Sequence, residues 1–277
     1  MNTEKEIFKP YEELEFRDDF MFGVTMSDPD LCHDVLECLL QMPIGRLSEP
    51  ISQKEFRETS DGKPIRLDIY TKDELSVYDA EMQNRNNQSV KVLTLPKRSR
   101  YYQALIDSDN LKSSDGYRAL PDSYILFICT FDPFGENKGC YTFVEQCLEI
   151  PGLKLEDGTE KRFYNCTYDG DDIPESLKRF FRYIQSGEAT DYLTSRIDMA
   201  VAEARKKEEW GAIYVKERVY VSDIIEECKA EYKEEIENYK QEAEANRQKA
   251  EANLKLADDY KTKLDEANAK LQAAGLL

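Results

Sequence analysis

Apolar side chains recur at helical spacing at Leu31, Val35, Leu39 and Met42, with Leu36 and Leu40 widening the stripe. Ser27-Asp28-Pro29 supplies a capping side chain ahead of an early proline, and Pro43 stops the helix so predicted. The period then shortens. Ile51–Phe56 reads as a short strand, and Ser60-Asp61-Gly62-Lys63 as a turn into two alternating runs, Ile65–Tyr70 and Leu75–Gln83. Those runs flank a polar turn, which predicts a β-hairpin. Helical spacing returns at Leu93, Tyr101 and Leu105, in a helix expected to be interrupted near Pro96. Ser123–Phe131 is almost continuously apolar, as in a strand buried on both faces. Gly139–Ile150 and Arg162–Tyr168 predict further strands joined by a turn at Lys154–Glu160. Glu175–Gln185 puts Leu177, Phe180, Phe181 and Ile184 on one face of a docking helix. The order predicts an α/β core over residues 1–215, with a mixed central β-sheet flanked by helices.

Residues 216–277 form a second region. Ser222–Ala274 contains neither Pro nor Gly, and Ala243-Glu244-Ala245-Asn246 recurs seven residues later as Ala250-Glu251-Ala252-Asn253. A 4–3 spacing runs through Tyr239, Ala243, Asn246, Ala250, Asn253, Ala257, Tyr260, Leu264, Ala267 and Leu271. That seam suits a coiled coil, but its Ala and Asn core suits a solvated single helix nearly as well. Residues 225–274 are read as a tail for homo-oligomerisation or for a protein partner.

Composition narrows the chemistry. No apolar run reaches the length of a membrane span, and the N-terminus lacks the basic and apolar regions of a signal peptide. The seven cysteines are scattered without a CxxC, which predicts reduced thiols in a cytoplasmic protein. His33 is the single histidine, so catalysis through Ser-His-Asp or Cys-His groups would rest on one helical residue. The net charge is −18. Residues 225–277 carry nine Lys and Arg against thirteen Asp and Glu, which leaves −14 on the rest. Any surface for nucleic acid is therefore local. The clearest basic stretch, Asn84–Ile106, has no acid and carries Arg85, Lys91, Lys97, Arg98 and Arg100.

The hairpin concentrates the remaining chemistry. Alternation puts Leu67 and Ile69 on one face and Arg66, Asp68 and Tyr70 on the other. In the second arm Tyr78, Ala80 and Met82 oppose Asp79, Glu81 and Gln83. With an even loop, Asp68 joins the second acidic face. Gathered carboxylates raise one another's pKa unless a cation sits among them, which points to a hard divalent metal such as Mg²⁺. A four-residue turn puts Asp68 across from Val77, about 13 Å short of Glu81, and a six-residue loop reduces the offset to about 7 Å. The plainer alternative is a surface hairpin with an Arg66–Asp79 cross-strand pair.

Arg66-Leu67-Asp68-Ile69-Tyr70 followed by Asp79-Ala80-Glu81-Met82-Gln83 resembles the active-site hairpin of the PD-(D/E)XK nuclease superfamily, in its transposase-associated, recombination-promoting branch. The resemblance implies a restriction-endonuclease-like core. It implies that Asp68 and Glu81 hold Mg²⁺, with Mn²⁺ as a substitute, and that the Met82 carbonyl completes the shell. Gln83 stands where the superfamily usually has Lys, and the branch commonly carries Gln there. Gln orients a water but is no base at neutral pH. Asp79 is expected as a further acid behind the ligands. In related nucleases a helix lies beside the metal. Lys91, Lys97, Arg98, Arg100 and Gln103 would meet the DNA backbone from it. Phe16–Phe22 resembles the family's opening segment, with Asp18 and Asp19 expected as solvated turn acids. Glu37 occupies a place where relatives sometimes add a ligand, although an exposed helix acid is the simpler expectation. Asp169-Gly170-Asp171-Asp172 is too short for a calcium loop. The function implied is a Mg²⁺-dependent DNA endonuclease serving recombination, transposition or the response to mobile DNA. The alternatives are a catalytically inactive interaction protein assembled through its C-terminal helix, and a metal-dependent enzyme acting on another substrate.

Overall fold

The computed structural model describes residues 8–56, 63–84 and 88–273, with the backbone alone over 88–93 and 271–273. The chain divides into two compact units, Met1–Tyr214 and Val215–Leu277. The first contains α1 (Asp19–Met26), α2 (Pro29–Leu40), β1 (Ile51–Phe56), β2 (Ile65–Lys72), β3 (Ser76–Gln83) and α3 (Gln88–Asn110). It continues with β4 (Asp122–Cys129), β5 (Cys140–Phe143), β6 (Thr159–Asn165), α4 (Glu175–Ser186) and α5 (Tyr192–Arg205). A long helix, α6 (Glu208–Ala273), begins in the first unit and makes up the described part of the second. The expected tail helix thus starts eight residues before position 216.

The strands form one open sheet in the order β1-β2-β3-β4-β6-β5. β1, β2 and β3 pair antiparallel, β3, β4 and β6 run parallel, and β5 closes the far edge antiparallel to β6. The fold is therefore α/β with a six-stranded mixed sheet. Local chemistry sets several element ends. Asp28 accepts a hydrogen bond from the Leu31 N–H (2.8 Å) with Pro29 opening α2. Asp191 and Thr194 form a reciprocal capping box at the start of α5.

Helices cover both faces of the sheet. On one, Phe20 and Phe22 of α1, Leu36 and Leu39 of α2, Phe180 and Phe181 of α4 and Ile197 of α5 bury Ile69, Tyr78, Ala80, Met82, Leu126 and Ile128. On the other, Leu95, Tyr102, Leu105 and Ile106 of α3 cover Leu67, Tyr70, Val77, Ile125, Phe127 and Phe163. Full burial of each such side chain stabilises by about 1.5–3 kcal/mol. β4 contributes to both faces, as its apolar run predicts.

Five expectations are corrected. The hairpin arms pair out to Lys72 and Val77, so the turn lies at Asp73–Ser76 and Tyr70, not Arg66, faces Asp79. Leu67 and Ile69 do not share a face; alternation breaks at Asp68, across from Gln53, a strand residue with positive φ (55°). The run Gly139–Ile150 is a strand only over Cys140–Phe143, followed by a single bridge from Gln146 to Lys154. The last strand begins at Thr159, ahead of Arg162. α3 continues through Pro96, because packing of Leu95, Tyr102 and Leu105 outweighs the lost N–H bond. The expected turn at Ser60–Gly62, residue Arg85 and the Lys91 side chain lie outside the described residues.

In the second unit α6 is exposed from Glu226 to Lys270, with pairs such as Arg247–Glu251 (3.2 Å) and Lys263–Asp259 (2.7 Å) one turn apart. Among the described residues no helix is long and apolar enough to cross a membrane.

Candidate active site

β2 and β3 part company at Asp68. Their backbone ladder runs from Lys72–Val77 to Ile69–Ala80. One step beyond, Asp68 and Glu81 face each other, and side chains take over the ladder. The Asp68 N–H donates to Glu81 Oε1 (2.8 Å), and the Met82 N–H donates to Asp68 Oδ2 (2.9 Å). Each carboxylate is thus fixed by the backbone of the opposite strand. The offset foreseen from a short turn is absent because the turn sits later in the chain.

Two further side chains of β3 belong to the same face. Asp79 is 0% exposed, and no donor reaches either of its oxygens. The group beside it is the carboxyl of Glu81, itself 1% exposed. Two carboxyls in contact are stable only when they share a proton or a cation. Gln83 folds back so that its Nε2 donates to the Met82 carbonyl (3.1 Å).

The cation of the site is Arg98, from the middle of α3. Its Nη2 donates to Glu81 Oε2 (3.1 Å) and its Nη1 to Gln83 Oε1 (3.0 Å). Nε and Nη2 also reach the Tyr102 hydroxyl, one helical turn on (3.2 and 2.8 Å). Spacing of four residues on a helix brings Arg98 and Tyr102 together, a signal available in the sequence.

Electrostatics follow from this enclosure. Burial pushes Asp68, Asp79 and Glu81 well above the usual carboxylate range. Repulsion adds to it: Glu81 acts on Asp68, Asp68 on Asp79, and Asp79 on Glu81. Burial works against the charge on Arg98, yet Tyr102 and Glu81 hold its pKa above its usual value. Burial, then Glu81, pushes up the Tyr102 hydroxyl. Asp19, at the start of α1, adds a smaller repulsion on Asp68. Asp19 is therefore an electrostatic neighbour of the site and not only a solvated turn acid. Asp18 instead accepts from the Glu15 N–H (2.7 Å) and Lys9 (3.1 Å).

The other expected site residues divide. Lys97 and Arg100 are exposed on α3, free of the core. Gln103 is buried and donates to Asp107 (2.8 Å) and Ser123, so it holds α3 to β4 rather than facing a ligand. Glu37 accepts from the Ile44 N–H (3.1 Å) and closes the loop after α2. Asp171 and Asp172 pair with Lys178 (2.5 Å) and Lys138 (3.4 Å).

Among the described residues no group of three or more His, Cys, Asp or Glu side chains is placed to hold a metal ion. The chemistry of the donor set nevertheless suits a hard cation. Asp68, Asp79 and Glu81 gather beside one guanidinium that reaches only Glu81, and the buried oxygens of Asp79 have no donor. A cation on Glu81 Oε2 would take the place of Arg98. Comparison with family models, with curated proteins and with solved structures finds no match for the chain.

Proposed function

We propose that the chain is a metal-dependent DNA endonuclease of the PD-(D/E)XK kind, built on a restriction-endonuclease-like core. The observation that carries this reading is the fork at Asp68 and Glu81, where each carboxylate is anchored by a backbone N–H of the opposite strand. Asp68 and Glu81 hold Mg²⁺ or Mn²⁺. When bound, such a cation supplies Lewis acidity and makes a water more acidic at neutral pH. Gln83 orients a water through its carboxamide and takes no proton. Arg98 offers a planar fork suited to a phosphate oxygen, while the exposed Lys97 and Arg100 bind flanking backbone without reading sequence. The Met82 carbonyl already accepts from Gln83, so its use as a ligand requires that amide to turn away. A cellular role in recombination, transposition or the response to mobile DNA belongs to the same reading, in a reducing cytoplasm that suits the seven free cysteines.

A second reading, a non-catalytic protein of the same fold, draws on one observation: Arg98 stands on the carboxylate that a metal needs. Nicking of supercoiled plasmid with Mg²⁺, Mn²⁺ or EDTA decides between them. Metal-dependent nicking lost in both Asp68→Asn and Glu81→Gln supports the nuclease. Inert wild-type protein with the fold intact supports the second reading.

A further inference from the structure

The carboxyl end of the parallel strands carries a second feature. An open cleft of about 370 Å³ lies between α4 and the loop after β6. Lys178, Arg182 and Gln185 line it from α4, one turn apart on a single stripe of the helix. Thr167, Tyr168 and Asp169 line it from the loop.

The cleft is tied to the carboxylate site. Gln185 Nε2 donates to the Thr130 carbonyl (3.0 Å), and the Thr130 N–H donates to the Gln83 carbonyl (3.1 Å). β3, β4 and β6 are neighbours, with Gln83, Cys129 and Asn165 in register. Two strand spacings, about 10 Å, therefore separate the end of β3 from the loop after β6. Open α/β sheets bind ligands outside the carboxyl ends of such strands.

Charge and shape define the ligand. Lys178, whose side chain is only 17% exposed, pairs with Asp171, whose side chain stands fully in solvent and is therefore free to move aside. Arg182 extends into solvent from the same stripe. Lys178 and Arg182 bring two cations to one cleft of a chain of net charge −18, and with Asp171 already on Lys178 and Asp169 in the lining, an anion binds there by taking the place of Asp171. Tyr168 adds an aromatic ring at the rim and Thr167 a hydroxyl. A volume of this order takes a nucleotide.

We propose that this cleft is a subsite for a phosphate, with its nucleotide, on the substrate strand beside the scissile bond. Lys178 and Arg182 bind the phosphate, and Tyr168 stacks on the base. The inference rests on the nuclease reading, and it adds a place where single-stranded character is read.

The test uses the full-length protein and fluorescence anisotropy with a labelled short oligothymidylate in EDTA, so that binding is measured without cleavage. The variant Lys178→Ala/Arg182→Ala is expected to bind about tenfold more weakly, with a salt slope lower by about 0.7 per lost phosphate contact. Arg179→Ala, on the same helix and paired to Glu175, is expected to bind as wild type. Tyr168→Leu is expected to weaken binding without changing the salt slope. Thermal midpoints of all variants serve as the folding control. Wild-type affinity in the double variant, no binding by wild type, or thymidine monophosphate bound as tightly as the oligomer each overturns the subsite. Plasmid nicking separates the two ideas. Cleaving wild type with an unaffected double variant sinks the subsite alone. Oligomer binding lost in the double variant, with no cleavage by wild type, sinks the nuclease alone.

Discussion

β3 and α6 are both rich in acids, and they use them in opposite ways. On α6 the carboxylates stand in water and pair with Lys or Arg one turn away, as at Glu237–Lys240 and Glu251–Arg247. Such pairs are screened and replaceable. On β3 two acids a strand period apart, Asp79 and Glu81, are buried beneath α3, and Glu81 faces Asp68 across the fork. Water screens their repulsion little, and the one guanidinium beside them pairs with Glu81 alone. The same residue type is a solvating group in one region and a store of electrostatic strain in the other. Only exclusion of water separates the two.

The comparison breaks most decisively through charge removal at the fork. Asp68→Asn and Glu81→Gln keep an acceptor for the Met82 and Asp68 N–H groups, so the fold should persist. Metal-dependent nicking should fall by about a thousandfold or more, since a lost ligand removes several kcal/mol of transition-state stabilisation. Full activity in either variant would place the chemistry elsewhere.

Next in size is Arg98→Ala, which leaves the buried Glu81 carboxylate without its cation. Breaking a buried pair costs about 3–5 kcal/mol. The thermal midpoint in EDTA should drop markedly, and Mg²⁺ should restore more of it in the variant than it adds to wild type. A drop that Mg²⁺ leaves untouched would remove the case for a cation site.

Asp79→Asn probes the strain by pH. Because burial, then Asp68, raises the Asp79 pKa, its cost is absent below the ordinary carboxylate value. It grows as pH rises from there toward the raised value, where the unfolded chain ionises first. The Asn variant should therefore match wild type in acid and gain toward neutral pH, by roughly 2–4 °C for each kcal/mol relieved. A gain that is the same at all pH values would mean packing, not charge.

The smallest effect is expected on α6. Tyr260→Ser with Leu264→Ser should leave the unfolding midpoint of the first unit within about 1 °C, because neither side chain is buried. Sedimentation should show a loss of self-association if the 4–3 seam pairs copies of the chain.

Much of this was legible beforehand, in uneven fashion. The helix over α2, the doubly buried β4 and the long tail follow from period, capping and run length. The hairpin was visible, but its register was not: turn position depends on Asp73, whose carboxylate accepts from the Leu75 and Ser76 N–H groups, and no periodicity reports that. Pro96 pointed to a break that packing on the sheet overrode. Gln103 was expected to meet the DNA backbone, yet it is buried against β4, because helical spacing around Pro96 does not fix which side faces the sheet.

By itself the sequence determined the α/β order, the acids of β3, the basic character of α3 and the charged tail, because period and composition act locally. The tertiary structure alone decided that Asp68 meets Glu81, that Asp79 is left without a donor, and that Arg98 answers them. Those relations join residues up to thirty positions apart, and their energies arise only once the sheet and α3 have expelled the water between them.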